Sequence, residues 1–527
     1  MLINFSTISE NLARTFGPLE AIYNVERQRR YTFAEYHLLT NRIVNMMRDR
    51  LGLRAGDTWL AILNNDNVSI LSFFTALKGE ACACYTNTTD SLADQARQID
   101  IVKPKVVFIE RDLLPTHHAL LAERGLTVVS MDPPPGTLAD VLHFWDLMEG
   151  VSEESPDIVR DDREDCAVLR FTGGTTGASK AVMYCMDNWL ACKDLHYATD
   201  DRALVPGFRM LHFGALSHAS GIVFFPVLFK GGCTITMNDR SLQTWCRTVE
   251  REKVNGTLMV PSMLYRLLES EEARRSDLSS LAVVYYGASP MSPTRLMQLR
   301  ERFGDIFMQL YGSSEHPAVA TTLSVAEHAP APDGSGQHLL SAGKVVPGTE
   351  LQIRDAAGRP VPTGCEGEIW LKSRATAMGY LHNPAKTAEE FRDGFWKSGD
   401  VGRIDERGYV HVIDRIKDTI VCGGVNVYPT QVEAVISAHP LVSMCAVVGV
   451  ADVALGEAVH AAVLPRSGES LDATQLRAFL EPRLQPAQLP QTIDIVTELP
   501  LSPVGKVLRR VVRESRRDAA TPAAAAS

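Results

Sequence analysis

Apolar residues at Phe33, Tyr36, Leu39, Ile43 and Met46 recur every three to four positions. That spacing puts them on one face of an amphipathic helix. Short continuous apolar runs at 58–63 and 105–109 predict buried strands, and the alternation goes on. A strand is expected at 256–261, a helix to about Ser270, a strand at 281–286, a helix from Ser292 and a strand at 306–311. Strands alternating with helical stretches predict α/β layers with much parallel sheet, whose ligand sites lie at the carboxyl ends of the strands. From about Gly343 the segments shorten, at 351–354, 368–372 and 409–413, the last following the turn Asp405-Glu406-Arg407-Gly408. This texture predicts a small β-rich subdomain. Beyond Asp414 a compact α+β unit is expected, with helices at 431–438, from Ala473 and after Lys506, and strands at 445–450, 458–464 and 492–496. The expected division is a large N-terminal domain over 1–414, its β-rich part at 343–414, a small C-terminal domain over 415–517 and a disordered tail at 518–527.

Composition narrows the classes. At 527 residues the chain exceeds one typical core. Its 45% hydrophobic and 22% charged content is that of a soluble globular protein. A net charge of −10 provides no basic excess to neutralise phosphates, so a nucleic-acid partner is not expected. No stretch approaches the roughly 20 apolar residues of a membrane span, and the longest run, 221–229, contains Pro226. The start, Met1-Leu2-Ile3-Asn4-Phe5-Ser6, lacks a basic region followed by an apolar core, and the end lacks Ser-Lys-Leu. The 10 cysteines are scattered without a Cys-x-x-Cys pair, which favours reduced thiols and a cytoplasmic setting over a disulfide frame or zinc site.

Candidate chemistry begins at Phe171-Thr172-Gly173-Gly174-Thr175-Thr176-Gly177-Ala178-Ser179-Lys180, after a strand-like 166–171. Glycines, threonine hydroxyls and a terminal lysine make a loop able to wrap an anion. The G-x-x-x-x-G-K-[ST] spacing fails, and the plain alternative is a surface loop. Two further loops fall at strand ends, Tyr286-Gly287-Ala288-Ser289-Pro290 and Tyr311-Gly312-Ser313-Ser314-Glu315. Later come Lys397-Ser398-Gly399-Asp400, Asp414-Arg415-Ile416-Lys417-Asp418 leading to Gly423-Gly424, and Leu501-Ser502-Pro503-Val504-Gly505-Lys506.

In this order and spacing the segments resemble the superfamily of adenylate-forming enzymes, which holds acyl- and aryl-CoA synthetases, amino-acid-activating domains and firefly-type luciferases. The resemblance covers nearly the whole chain and implies ATP, Mg²⁺ and CoA as reactants. It implies that the Thr172–Lys180 loop, with Thr176 in it, grips the leaving pyrophosphate, and that Glu315 helps bind Mg²⁺, which needs one or two protein oxygens. Tyr311 and the Gly287-Ala288-Ser289 turn would sandwich adenine, beside Gly312, Ser313 and Ser314. Asp400 would accept the ribose hydroxyls, with Arg415 a second contact and Lys417 a hinge. Lys506 would bridge the substrate carboxylate and the α-phosphate. The small domain would be mobile, withdrawing Lys506 and opening a pantetheine tunnel beside Gly423 and Gly424, and His218 would match an aromatic or histidine gate near the reacting carbonyl. Against these stand plainer readings: Glu315 as a helix-capping acid, Asp400 as a turn residue, His218 as a cap or core residue, Lys506 as a surface lysine. The chain departs from the family loop at Gly173 (usually Ser), Ser179 (usually Pro) and Ala181 (usually Gly), and has Ser314 where Thr is usual.

Residues 211–225 carry no acidic side chain, so an α-amino acid's ammonium would lie unpaired in an apolar setting. Phe213, Ile222, Val223, Phe224, Met259 and Tyr286 are candidate pocket walls for a fatty, aryl or polycyclic acid. The expectation is an acid–CoA ligase. A ligase loading a carrier protein, or a non-catalytic acyl- or nucleotide-binding protein, are the alternatives.

Overall fold

A computed structural model describes residues 1–172, 179–199, 204–317, 319–329, 336–466, 468–501 and 507–520. Two large sheets dominate. In the first, Val168–Thr172, Cys82–Thr86, Thr58–Ile62, Val106–Ile109, Thr127–Ser130 and Leu142–His143 run parallel side by side, and Lys180–Tyr184 and Gly379–Tyr380 extend it antiparallel. In the second, Phe307–Tyr311, Val283–Gly287, Gly256–Met259, Arg209–His212, Cys233–Thr236 and Glu20–Asn24 form the parallel centre. The strand interiors are apolar on both faces, as Val106 to Ile109 shows with every residue buried. Such runs need cover on both sides, which interleaved helices supply. The helix Phe33–Asp49 opens with a full capping box, Thr32 with Glu35, and buries Phe33, Tyr36, Leu39, Ile43 and Met46. This is the mixed, parallel-rich α/β architecture that the alternation predicts.

The remaining sheets are smaller. Glu350–Arg354, Gly367–Lys372, Phe395–Ile404, Phe391–Arg392 and Val410–Arg415 pair antiparallel around Ile353, Ile369, Leu371, Trp396 and Val410. Val442–Asp452 and Gly456–Pro465 form a long hairpin with its own apolar core, backed by helices Pro429–Ser437 and Ala473–Leu480. Helix Arg509–Ala520 runs three residues into the stretch expected to be a disordered tail. No helix of the described residues is long and apolar enough to cross a membrane.

One buried carboxyl carries a pH signature. Glu110 follows the strand Val106–Ile109, is 6% exposed, and accepts from Asn64 N at 2.8 Å and Asn67 Nδ2 at 2.9 Å. Burial, with the charge of Asp66 adding to it, pushes its pKa up to about 7. The folded protein therefore holds a proton that the unfolded chain has released, so stability falls as pH rises from the usual carboxylate range through about 7. Glu110→Gln is expected to flatten that slope, by up to on the order of 3 kcal/mol between about pH 5 and 8. Urea unfolding at the two pH values measures it, and an unchanged slope would assign the pH dependence elsewhere.

Candidate functional site

Parallel strands deliver most of the candidate residues to one set of ends. Thr172 closes Val168–Thr172, Gly287 closes Val283–Gly287, and Tyr311 closes Phe307–Tyr311. Gly287 is required by packing, since a Cβ there would stand 2.1 Å from the Leu310 carbonyl oxygen on the next strand. The next residue, Ala288, has φ of 66°, a left-handed conformation costly for a side-chain-bearing residue.

The loop Gly312-Ser313-Ser314-Glu315 ties the two large sheets together. Tyr184 Oη, from the first sheet, donates to Ser314 O at 2.5 Å, and Ala377 N donates to Glu315 O at 2.9 Å. Glu315 is 8% exposed, and its Oε1 accepts from Tyr380 Oη at 2.9 Å. Burial raises its pKa, against the pull of the Tyr380 hydroxyl and the Lys180 charge. Tyr380 Oη also bonds Glu390, and Lys180 Nζ donates to Glu390 at 2.9 Å and to Tyr380 Oη at 3.3 Å. Thus Lys180, at the far end of the glycine-rich loop, reaches Glu315 through one hydroxyl. It is paired with a carboxylate here. Carboxylate and hydroxyl oxygens are the hard donors Mg²⁺ prefers, so Glu315 and its neighbours fit that ion chemically. Among the described residues no group of three or more His, Cys, Asp and Glu forms a ready-made cage.

Tyr311, Asp400 and Arg415 meet. Asp400 stands opposite Arg415 in the antiparallel pair of Phe395–Ile404 with Val410–Arg415. Tyr311 Oη donates to Asp400 Oδ2 at 2.7 Å, and Arg415 Nε lies 3.4 Å from Oδ1. One carboxylate so joins the end of a parallel strand to the antiparallel subdomain. Asp414, next in the chain to Arg415, accepts from Thr430 N at 2.7 Å and from Arg509 Nη1 at 3.1 Å. Arg509 also reaches Glu433 at 2.6 Å. These contacts fasten the C-terminal helix to the segment holding Arg415. Lys417 sits exposed in the short turn Ile416–Asp418, its pKa lowered by partial desolvation and the Arg415 charge.

Gly423 and Gly424 occupy the two-residue turn between Ile420–Cys422 and Val425–Val427, with φ of 58° and 81°. A tight hairpin of that type demands positive φ at both positions, which accounts for the glycine pair without reference to a ligand. His218 is half-buried, its Nε2 3.0 Å from Asn87 Nδ2, and its pKa is driven down to about 4 by desolvation and by Arg170. The candidate pocket walls divide. Phe213, Met259 and Tyr286 share one apolar cluster, Val223 lies in a second with Ile222 packed on it, and Phe224 lies in a third.

Gly173, Gly174, Thr175, Thr176, Gly177 and Lys506 lie outside the described residues. Sequence reasoning missed Tyr380, Glu390, Asn87 and Arg509. Each acts through a contact distant in sequence, and no local spacing signals it.

A family model described as AMP-binding enzyme matches residues 10–381, and a second, the AMP-binding enzyme C-terminal domain, matches 431–506. A medium/long-chain-fatty-acid–CoA ligase of Mycobacterium tuberculosis is 34% identical over 438 residues, covering 80% of this chain and 75% of that protein. A feruloyl-CoA synthase of an Amycolatopsis species is 32% identical over 496 residues, covering 92% and 93%. Among solved structures, the amide bond synthetase McbA of Marinactinospora thermotolerans superposes with a TM-score of 0.86 at 28% identity, over 97% of this chain and 99% of that one. With both family models matched in order over a fold of the same shape, the chain belongs to the AMP-binding enzymes, in the acid–CoA ligase branch of the adenylate-forming superfamily.

Proposed function

We propose that this enzyme activates a hydrophobic carboxylic acid with ATP, forms an acyl-AMP with release of pyrophosphate, and passes the acyl group to CoA. The observation that carries the reading is the meeting of Tyr311, Asp400 and Arg415. It supplies an aromatic ring and a carboxylate, the two groups a nucleoside needs, at the carboxyl end of a parallel strand. Asp400 would accept the ribose hydroxyls, and Tyr311 with the Gly287-Ala288-Ser289 turn would bracket the base. Lys180 would exchange Glu390 for phosphate, and Glu315 would hold Mg²⁺. When bound, that ion would offset phosphate charge. Lys506 would lie between the two reacting anions. The unit beyond Asp414 would act as a lid that turns about Lys417, and the enzyme would work in the cytoplasm.

The acid is drawn from the fatty, aryl or polycyclic classes. The relatives named above act on a fatty acid and on ferulic acid by their names, and residues 211–225 hold no acidic side chain for an amino acid's ammonium. A screen of pyrophosphate release across fatty, aryl and alicyclic acids, with and without CoA, tests this. Acid-dependent release with thioester appearing when CoA is added supports the reading. Release without a CoA thioester favours a carrier protein as acceptor. No release with any acid, with no difference between parent and Lys506→Ala, would make this a non-catalytic binding protein.

A further inference from the structure

His218 is held in a closed cycle of hydrogen bonds with Asn87 and Ser217, whose direction follows from the orientation of the Asn87 amide. Asn87 directly follows the strand Cys82–Thr86 and is 5% exposed. Its Nδ2 lies 3.0 Å from His218 Nε2, and an amide NH₂ can only donate, so Nε2 accepts. With the amide in this orientation, Ser217 Oγ donates to Asn87 Oδ1 at 2.9 Å. The lone pair of Ser217 Oγ then faces His218 Nδ1 at 3.4 Å, and the ring proton sits on Nδ1. The cycle is anchored from outside. Arg170 Nε donates to Ser217 O at 3.0 Å, and Gln95 Nε2 donates to Asn87 O at 2.8 Å.

We propose that Asn87 is the positioning residue of His218, fixing one tautomer and one ring orientation, and that this order serves the acyl-transfer step more than adenylation. The proposal rests on the acid–CoA ligase reading above and on the family resemblance, which implies that His218 is a gate near the reacting carbonyl; the cycle itself does not. Protonating Nε2 would set two donors against each other and open the cycle. The charged groups acting on the imidazole agree with the neutral form: Arg170, from Val168–Thr172, and Arg240, just before helix Leu242–Glu252, are both cations. With burial they hold the ring at about 4. A neutral imidazole throughout the physiological range keeps its bond to Asn87 intact, and its ring plane with it.

The two half-reactions are measured separately: pyrophosphate release without CoA, and thioester formation from supplied acyl-AMP. Asn87→Ala is expected to slow acyl transfer at least about tenfold, as a misplaced reacting group does, with a much smaller loss in adenylation. Asn87→Asp places a carboxylate on Nε2 and stabilises the imidazolium. Its acyl-transfer rate is expected to fall with decreasing pH across about pH 8 to 6, where the parent is flat. Independently of activity, ¹⁵N-histidine spectra of the parent, with His218→Gln identifying the peak, should show the Nδ1-protonated tautomer. Equal losses in both half-reactions for Asn87→Ala, or an Nε2-protonated His218, overturns the proposal. A parent that releases no pyrophosphate with any acid defeats the functional reading instead, and the tautomer measurement still decides the cycle.

Discussion

Lys506→Ala is expected to lower acid-dependent pyrophosphate release about 10²–10³-fold, the usual cost of removing one preorganised charge-stabilising donor. Formation of thioester from supplied acyl-AMP should change by no more than a few fold. The asymmetry follows from what each step needs. Adenylation drives a carboxylate onto a phosphate, and two unit charges about 4 Å apart repel by about 4 kcal/mol in a partly buried site. An ammonium between them offsets that repulsion and aligns the attack. Acyl transfer begins from a mixed anhydride and a thiol, with no such pair to bring together. The chain on either side of 502–506 is pinned: Leu501 bridges Val507, Leu508 N donates to Pro500 O at 2.8 Å, and Arg509 is held by Asp414 and Glu433. With those flanking bonds untouched, Lys506→Ala is expected to unfold at the parent's temperature, and thermal unfolding separates chemistry from folding. Pyrophosphate release and thioester formation assayed side by side decide the point, and equal loss in both would remove the case for a domain that changes station between steps.

The architecture was legible where periodicity is long. The alternation at 33–46, 58–63, 256–261 and 306–311 matches helix Phe33–Asp49 and strands Thr58–Ile62, Gly256–Met259 and Phe307–Tyr311 within a few residues. Buried parallel strands are near-continuous apolar runs and helices over them are striped, so pattern carries the information. The site was legible only in part. Tyr311 and Asp400 were found as motif members, 89 positions apart, and the structure joins them by one hydrogen bond. Tyr380 and Glu390 were not found, although they link Lys180 to Glu315, because a tyrosine after a glycine and a glutamate ending the helix Pro384–Glu390 have nothing local to mark them. Asn87 lies in a run of polar residues, Thr86-Asn87-Thr88-Thr89-Asp90, that reads as turn material. The glycine pair 423–424 teaches the reverse lesson. It stood out in the sequence for a role at a tunnel, and the hairpin turn, with positive φ at both positions, gives the pair a backbone reason of its own.

Asp400→Ala should raise the KM for ATP by about 10- to 100-fold, since hydrogen bonds to a charged acceptor contribute about 1.5–3 kcal/mol each and ribose offers two hydroxyls. The KM for the acid should move little, because nothing in the cluster is aimed at a carboxylate substrate. Asp400→Asn keeps the shape and one acceptor oxygen and should fall between parent and alanine. Part of any loss will come from the protein itself. Asp400 is 13% exposed against 42% for Arg415, so removing the carboxylate takes from the Tyr311 hydroxyl its bond of 2.7 Å and leaves it Ser398, while the arginine can turn to water. A hydrogen bond to a charged acceptor contributes about 1.5–3 kcal/mol, and thermal unfolding of the apoenzyme reads that loss separately. Tyr311→Phe provides the contrast. It removes the same internal bond but leaves the carboxylate free to meet ribose, so it should destabilise the fold without matching the rise in the KM for ATP. If Tyr311→Phe and Asp400→Ala instead weaken ATP equally, Asp400 is a structural partner of the tyrosine, and the nucleoside must bind elsewhere.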